Sequence, residues 1–273
     1  EGFGIRITHR TPGGKPQVNT QFLEQCNHPV AGLLLEWRSL QKQLTSYYQA
    51  YITRVESYGR IHADFQQHGT VTGRLSCKDP NMQQIPRESP VKKLFQAETG
   101  KQLWEIDFKN IEMRLAAVYS KQKGLYDVFQ EEGDVHQRTA NELNVSRQHA
   151  KTINFLIIYG GGATALAKQL RISQNEANKI IVKYREAYPD LFMVMKEATS
   201  AAVYAGEVRY WSGRKRHFKW PSEAHKAFNS IIQGGSFEIV KRSMLRLRDG
   251  GFDIRSQVHD SVWIMVDNER QVL

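Results

Sequence analysis

The chain is poor in cysteine: its 273 residues include only Cys26 and Cys77. Two distant cysteines form neither a disulfide framework nor a zinc cage, which favours a reducing compartment. Long apolar runs are also missing, since no stretch approaches the roughly 20 residues that a bilayer-spanning helix needs. There is no signal-peptide pattern. These absences argue against disulfide-rich secreted and membrane-spanning proteins, and they predict an intracellular protein with no membrane partner.

Acidic residues are in deficit. The chain has 28 Asp and Glu against 38 Lys and Arg, a formal net charge of +10. A basic excess favours a polyanionic partner, although many basic proteins bind none. With 40% hydrophobic and 24% charged residues, the composition is that of a globular protein rather than a disordered one.

The periodicity of apolar residues predicts strand-like segments on both sides of a mostly helical middle. A strand, "LWEIDF", precedes the helix "IEMRLAAVYS", and two short runs of strand formers surround His259-Asp260. A basic hairpin, "GEVRYWSGRKRHF", and a long helix with a glycine interruption come before those runs. Helical patterns cover about residues 30–54, 125–205 and 222–250. Acid-bearing strands early and late predict an α+β domain whose sheet is assembled from distant segments.

Two acids stand at the ends of apolar strand-like runs. Asp107 ends "LWEID", and Asp260 lies between residues 254–258 and 261–266. Two neighbouring carboxylates repel each other, and divalent cations remove that repulsion. The pair is therefore a candidate two-metal site for phosphoryl transfer. These acids alone leave a second interpretation open, in which Asp107 caps the following helix and Asp260 is a solvated turn residue.

The segment "SRQHAKTINFLIIYGGG" predicts a helix with Ser146 as N-cap and an end at the glycines. Arg147, Lys151, Phe155 and Tyr159 are spaced by four and share one face, basic first and aromatic later. Cations followed by aromatic rings suit a nucleoside triphosphate. A solvated basic face that merges into core aromatics is the competing interpretation.

A third segment, "TVTGRLSCKDPNMQQIP", is a polar loop whose Arg, Asn and Gln side chains could contact bases or phosphates.

Taken together, four segments make the chain resemble the family A DNA polymerases, those similar to bacterial DNA polymerase I. The resemblance runs from about Thr11 to the last residue and implies a right-hand polymerase fold with an antiparallel palm sheet, helical fingers and a truncated thumb. Implied domains are a thumb remnant and thumb–palm connection (1–60), palm (61–113 and 221–273) and fingers (114–220). The segments, in order, are "TGRLSCKDPNMQQIP", "DFKNIEMRLAA", "RQHAKTINFLIIYG" and "QVHDSV".

The resemblance implies template-directed DNA synthesis in replication or repair, with deoxynucleotides added to a primer 3′-hydroxyl and pyrophosphate released. Asp107 and Asp260 would hold two Mg²⁺ ions, with Mn²⁺ as a substitute, and Lys151 would donate a proton to pyrophosphate. Partners would be primer–template DNA and dNTPs, and the protein would be a monomer. The implied nucleotide-binding residues are Arg147, Lys151, Phe155, Tyr159, Glu112 and His136. The implied DNA-binding residues are Arg74, Asn81, Gln83, Asn229, Gln233 and His259.

Some positions depart from the family pattern. Ser261 stands where these polymerases usually have a second acid, and we expect weaker metal binding rather than inactivity. His225 replaces a usual Arg, with Lys226 as a neighbour that could compensate. The resemblance implies that the sequence begins after the thumb helices and contains no proofreading exonuclease. We therefore expect weak, salt-sensitive DNA binding unless such segments are supplied elsewhere.

Three other interpretations remain. A primer–template-binding module with impaired catalysis is disfavoured by the intact Asp107, Lys151 and Asp260. A single-subunit RNA polymerase is disfavoured by Glu112, which would block a ribose 2′-hydroxyl. A metal-dependent hydrolase with a His-Asp dyad would need further helical ligands, whereas His259 is predicted to lie in a hairpin.

Overall fold

The computed structural model describes residues 5–7, 10–11, 13–56, 59–86 and 89–267. The chain divides into two compact units. The first consists of Glu1–Asp64 and Cys77–Gln96, and the second of Phe65–Ser76 and Ala97–Leu273. None of the helices in the described part of the chain is long and apolar enough to cross a membrane.

The first unit is built on a helical run. It contains α1 (Thr20–Glu24), α2 (Pro29–Gln43), a π-helical turn (Leu44–Gln49) and α3 (Ala50–Ile52). The helix predicted for residues 30–54 is therefore present, with a π-helical turn that the periodicity did not indicate. Short strands β1 (Asp64–Gln66) and β2 (Ser76–Lys78) lie where the chain passes between the units.

The apolar stripe of this helical run is only partly buried. Tyr47 and Tyr51 are buried, and the Tyr47 hydroxyl donates to the Gln84 carbonyl oxygen at 2.8 Å. The ring of Tyr51 meets that of Phe95 edge-on, with 5.6 Å between centroids. By contrast, Trp37 on α2 is 59% exposed. The C-terminal end of the helical run thus contributes buried aromatic side chains to the core of this unit.

The second unit is a mixed helical and antiparallel structure, which confirms the α+β prediction. Its strands are β3 (Gln102–Asp107), β4 (Glu207–Arg209), β5 (Lys215–His217), β6 (Asp253–Val258) and β7 (Ser261–Val266). Its helices are α4 (Ile111–Ser120), α5 (Lys123–Gln130), α6 (Val135–Leu143), α7 (Arg147–Ile158), α8 (Ala163–Leu170), α9 (Gln174–Ala187), α10 (Pro189–Tyr204) and α11 (Ala227–Asp249), the last preceded by a 3₁₀ segment (Pro221–Lys226). The predicted basic hairpin is the β4–β5 pair.

A three-stranded antiparallel sheet, ordered β3-β7-β6, joins distant parts of the sequence. Gln102 pairs with Val266 at one end of the β3–β7 ladder and Asp107 with Ser261 at the other. One face of the sheet packs on α4 and α11 through a buried apolar cluster of Ile111, Phe237, Val240, Val262, Ile264 and Val266. Val262 and Ile264 alternate along β7, so the residues between them face away from this core. The buried core therefore fixes which β3 and β7 side chains reach the opposite face.

The predicted glycine interruption of the long helix is wrong, because α11 runs unbroken from Ala227 to Asp249. The glycines serve close packing instead. A Cβ atom on Gly234 would lie 2.1 Å from the Tyr210 ring and 2.8 Å from the carbonyl oxygen of Thr72. A Cβ on Gly235 would lie 2.8 Å from Leu115. Only glycine leaves room for these neighbours.

Candidate active site

The sheet brings the two predicted acids together. Asp107 is the last residue of β3 and lies directly across the ladder from Ser261, the residue after Asp260. The backbone N–H of Phe108 donates to the Asp260 carbonyl oxygen at 3.2 Å. Residues directly opposite in an antiparallel pair have Cα atoms about 4.5–5.5 Å apart, so Asp107 and Asp260 occupy adjacent positions. Two strands separated by most of the helical insert thus present both acids at one edge.

The alternative roles of these acids do not fit the structure. The N-cap residue of α4 is Asn110, which lies in the left-handed region at φ 55° and makes no side-chain capping hydrogen bond. Asp107 is therefore not the N-cap residue of this helix. The Asp260 side chain is 29% exposed and contacts Arg74, so it is not a freely solvated turn residue.

The turn between β6 and β7 has no glycine. His259 takes the left-handed conformation, with φ 53°, and its carbonyl oxygen accepts a hydrogen bond from the Gln257 side-chain amide. Histidine is among the residues enriched in this region of backbone space. The turn therefore presents an exposed His259 and the Asp260 carboxylate side by side.

Arg74 links the acid pair to a third carboxylate. Its Nη2 atom lies 2.5 Å from Oε1 of Glu112 and 3.5 Å from Oδ1 of Asp260. The other Glu112 oxygen, Oε2, accepts a hydrogen bond from the Tyr159 hydroxyl at 2.5 Å. Glu112 is buried, and its carboxylate is held in place from two sides.

Burial dominates the electrostatics of this cluster. It raises the pKa of Glu112, and the hydrogen bond from Tyr159 and the nearby Arg74 charge partly offset that rise. Burial also raises the pKa of the Tyr159 hydroxyl, as does the Glu112 charge beside it. The Gln233 side chain from α11 hydrogen-bonds to the same hydroxyl. The Tyr159 hydroxyl at the end of α7 thereby contacts both α4 and α11.

The predicted stripe of α7 is present. Ser146 caps the helix, accepting from the His149 N–H at 3.1 Å, as the sequence predicted. Arg147 and Lys151 are exposed, and the rings of Phe155 and Tyr159 lie 5.9 Å apart between centroids. The stripe is thus basic and accessible near its start and aromatic near its end.

The start of α6 lies against this stripe. Its N-cap, Asp134, accepts a hydrogen bond from Nε of Arg147 at 2.7 Å. His136 is 2% exposed, and its ring lies 5.7 Å from that of Phe155. Its Nδ1 lies 3.0 Å from the Asn154 side-chain nitrogen, and its buried Nε2 has no hydrogen-bond partner among the described residues. Burial lowers the pKa of His136, with the charges of Arg147 and Lys151 acting the same way and Asp134 opposing them.

The predicted DNA-binding residues divide between the units. Asn81 and Gln83 belong to the first unit, where the Asn81 side chain accepts from the Gln83 N–H at 3.0 Å. The other four belong to the second unit. Among these, Asn229 on α11 has a buried side-chain oxygen with no hydrogen-bond partner in the described part of the chain.

Three polar residues of the site were not predicted from the sequence: Glu105, Asp134 and Asn154. Glu105 precedes Asp107 by two residues, a spacing that puts both on one face of a strand. Asp134 stands one position before a helical pattern, which is an N-cap signal. Asn154 lies four residues from the buried Ala150 and Ile158, a polar side chain on an apolar helix face. Each signal was available, but none by itself identifies a partner.

The acid pair suits a hard divalent cation. Mg²⁺ is usually bound by one or two protein carboxylates and completes its shell with water and phosphate oxygens. Among the described residues there is no group of three or more His, Cys, Asp and Glu side chains arranged to hold a metal ion. Two carboxylates at one edge of the sheet match the number of protein carboxylates that usually bind Mg²⁺.

Comparison with known proteins identifies the family. Residues 1–272 match the model of DNA polymerase family A, and the chain belongs to this family. A solved structure described as the POL domain of Pol1 from M. smegmatis in complex with DNA primer-template and dNTP superimposes with a TM-score of 0.87 at 27% identity. That match covers all of this chain and 53% of the other.

Curated relatives are longer proteins. DNA polymerase I of Treponema pallidum is 33% identical over 81% of this chain, a match that covers 24% of the relative. DNA polymerase I of Caldicellulosiruptor bescii is 33% identical over 99% of this chain and 35% of its own length. The thermostable DNA polymerase I of Thermus aquaticus is 32% identical over 94% and 34%, respectively. The chain thus spans about a quarter to a third of these relatives.

Proposed function

We propose that this chain performs template-directed DNA synthesis, joining a deoxynucleotide to a primer 3′-hydroxyl and releasing pyrophosphate. The observation that carries the proposal is the pairing of β3 with β7, which brings Asp107 and Asp260 to one edge of the sheet in a member of DNA polymerase family A. A relative of similar fold is described in complex with primer-template and dNTP, which supports these as the partners.

The chain is assigned to the palm, fingers and thumb subdomains expected for this family. Residues 61–113 and 221–273 form the palm, and the helical residues 114–220 form the fingers. Residues 1–60 form the thumb remnant and its connection. The antiparallel sheet with its acid-bearing edge supports the palm assignment, and the basic, aromatic stripe of α7 supports the fingers assignment.

Asp107 and Asp260 hold two divalent cations, Mg²⁺ or Mn²⁺ in its place. When bound, the ions supply Lewis-acid activation of the primer hydroxyl and neutralise charge on the leaving pyrophosphate. Arg74 lies 3.5 Å from Asp260 and forms an ion pair with that carboxylate. The protein's own contribution is to hold the acids in place before substrate arrives.

Basic residues of α7 and α6 receive the triphosphate. Arg147 and Lys151 are exposed one turn apart, and Arg147 exchanges its contact with Asp134 for phosphate oxygens. Lys151 then donates a proton to the leaving pyrophosphate. His136 donates to phosphate from the ring nitrogen that has no hydrogen-bond partner among the described residues.

The aromatic end of α7 receives the nascent base pair and the sugar. Phe155 and Tyr159 provide flat apolar surfaces for the base pair. Glu112, fixed by Tyr159 and Arg74, blocks a ribose 2′-hydroxyl and so selects deoxynucleotides. Phe155 lacks a hydroxyl, so it provides no hydrogen bond that would replace a missing sugar 3′-hydroxyl, and dideoxynucleotides are disfavoured. The minor groove of the primer–template contacts Arg74, Asn81, Gln83, Asn229, Gln233 and His259.

Primer extension tests the proposal. The protein is mixed with a labelled primer–template, dNTPs and Mg²⁺, beside Asp107→Asn and Asp260→Asn, which keep side-chain shape and remove charge. We expect each change to slow extension by about a thousandfold, because metal-ion catalysis supplies several kcal/mol of transition-state stabilisation. Asp249→Asn, at an exposed acid at the end of α11, is the control and should leave the rate unchanged.

A primer–template-binding module is the second candidate, because Ser261 is neutral where the family pattern has an acid. The two candidates separate cleanly in the same assay. Duplex binding without any extension by the parent protein would contradict DNA synthesis and favour the module. Extension that survives both acid substitutions would contradict the two-carboxylate mechanism.

A further inference from the structure

Ser261 occupies the position where the family pattern places a second acid, and a different acid reaches it. Ser261 is 2% exposed, so its hydroxyl is nearly cut off from bulk water. Its Oγ atom lies 3.1 Å from Oε1 of Glu105 and 2.9 Å from the carbonyl oxygen of Val258. A hydroxyl has one proton to donate, so these two acceptors share it. A carboxylate from the neighbouring strand thus lies within hydrogen-bonding distance of the residue that replaces the family's second acid.

Strand geometry puts Glu105 on the face that bears the catalytic acid. Side chains alternate along β3, so Glu105 and Asp107 point to the same side, while Trp104 and Ile106 pack against the core. Across the ladder, Asp107 faces Ser261 and Glu105 faces Trp263. Glu105 is therefore the diagonal neighbour of Ser261, within reach for a long side chain. Both Glu105 and Asp107 are exposed at the surface of this face.

We propose that Glu105 is a third carboxylate of the metal site, held in orientation by the Ser261 hydroxyl. In this chain, the carboxylate that the family pattern places on β7 is supplied instead by a residue of β3. This inference rests on the proposed function, because the cations are those that Asp107 and Asp260 would bind. Glu105 acts on the cation through its charge and through water held between them, and Ser261 is the positioning residue. Partners in this outer position commonly change metal affinity about 10–100-fold.

With Glu105 in this role, the serine at position 261 does not remove the third negative charge from the metal site. A serine alone bonds water and does not neutralise a cation. A serine that orients a glutamate retains the third negative charge beside Asp107 and Asp260. The expected metal affinity is accordingly close to that of a three-acid site, rather than the weakened affinity predicted from Ser261 alone.

The test is Mn²⁺ binding in the absence of turnover. The full chain is bound to a primer–template whose primer ends in a dideoxynucleotide, the matching dNTP is added, and free Mn²⁺ is followed by electron paramagnetic resonance. Glu105→Gln should raise the Mn²⁺ dissociation constant about 10-fold. Ser261→Ala should raise it by a smaller factor, since the carboxylate remains but loses its fixed orientation. The control is Glu186→Gln, at an exposed glutamate of α9, which should change nothing.

Rescue separates a metal role from a structural one. Ser261→Glu added to Glu105→Gln returns an acid to β7 and should restore Mn²⁺ affinity, whereas a lost packing contact would not be restored. The melting temperature of each variant identifies any that fail to fold. Unchanged Mn²⁺ affinity in Glu105→Gln, with affinity lost in Asp107→Asn, overturns the role of Glu105 and leaves the proposed function intact. Unchanged Mn²⁺ affinity in both Glu105→Gln and Asp107→Asn overturns the role of Glu105 and the proposed function together.

Discussion

Asn154 donates a hydrogen bond from its side-chain nitrogen to Nδ1 of His136, across 3.0 Å in the core between α6 and α7. The direction of this bond is set by its neighbours. The Asn154 oxygen accepts from the Tyr184 hydroxyl at 2.8 Å, which leaves the amide nitrogen facing His136. Nδ1 is then an acceptor, and in the neutral ring the proton resides on Nε2. The one ring nitrogen without a partner in the described chain is thereby a donor suited to phosphate.

Asn154→Asp should disturb nucleotide binding more than the chemical step. A carboxylate in place of the amide accepts from Nδ1, so the proton leaves Nε2 or the ring becomes charged. We expect the KM for dNTP to rise about 10-fold with a smaller change in kcat. The ¹⁵N chemical shifts of the imidazole report the tautomer directly. Thr139→Val, which removes a hydrogen-bond partner of Asn154 but keeps the Asn154 amide, is the control, and an unchanged tautomer in Asn154→Asp would contradict the assignment.

The stability of the protein should depend on pH through His136. Its pKa is lowered in the folded state, so below about pH 6.5 the unfolded chain binds a proton that the folded protein does not. The free energy of unfolding should therefore fall as the pH drops below that value. His136→Gln removes this contribution, and its melting temperature should decrease less between about pH 7.5 and pH 5. Equal decreases in both proteins would contradict this.

Glu112→Ala should relax sugar selection. The change removes the proposed block against a 2′-hydroxyl and leaves Tyr159 without its carboxylate partner. We expect the ratio of dNTP to rNTP incorporation, measured as the ratio of kcat/KM values, to fall by about 100-fold. Glu112→Gln keeps the bulk and should retain most of the selectivity. Equal loss in both variants would show that charge, and not volume, excludes the ribose.

Gly234→Ala should destabilise the second unit. The added Cβ would meet the Tyr210 ring at 2.1 Å and a backbone carbonyl at 2.8 Å. Overpacking of this kind costs about 1–3 kcal/mol, measured as the change in the free energy of urea-induced unfolding. Gly124→Ala is the matched control in α5, where the three atoms nearest to the added Cβ all belong to the guanidinium of Arg138, the closest at 3.3 Å. A neutral result for Gly234→Ala would show that α11 shifts to make room.

Duplex binding should be strongly dependent on salt. The net charge of +10 favours phosphate contacts that release counterions. If about six phosphates are neutralised, log K should fall with log salt at a slope of roughly −5. Fluorescence anisotropy of a labelled duplex across a salt series measures this slope. A flat response would rule out phosphate contacts as the main source of affinity.

Local patterns predicted much of the fold. Ser146 and the four-residue spacing along α7 depend on neighbours in sequence, and the cap and the stripe are both present. The same kind of reasoning failed at Gly234 and Gly235. A glycine pair lowers helix propensity locally. Tyr210 and Leu115 pack so closely against the helix that only glycine fits at these two positions, and both residues come from remote segments of the chain.

By itself, the sequence determined the strands next to the two acids, the Ser146 cap and the acids themselves, because these follow from short-range periodicity and from residue chemistry. It also indicated Asp107 and Asp260 as a pair. Only the tertiary structure decided that Glu105 reaches Ser261 and that Asn154 orients His136. Strand register sets the first contact and helix packing sets the second. Both depend on the burial of apolar side chains that are distant from one another in the sequence. A contact between residues 156 positions apart has no local signature.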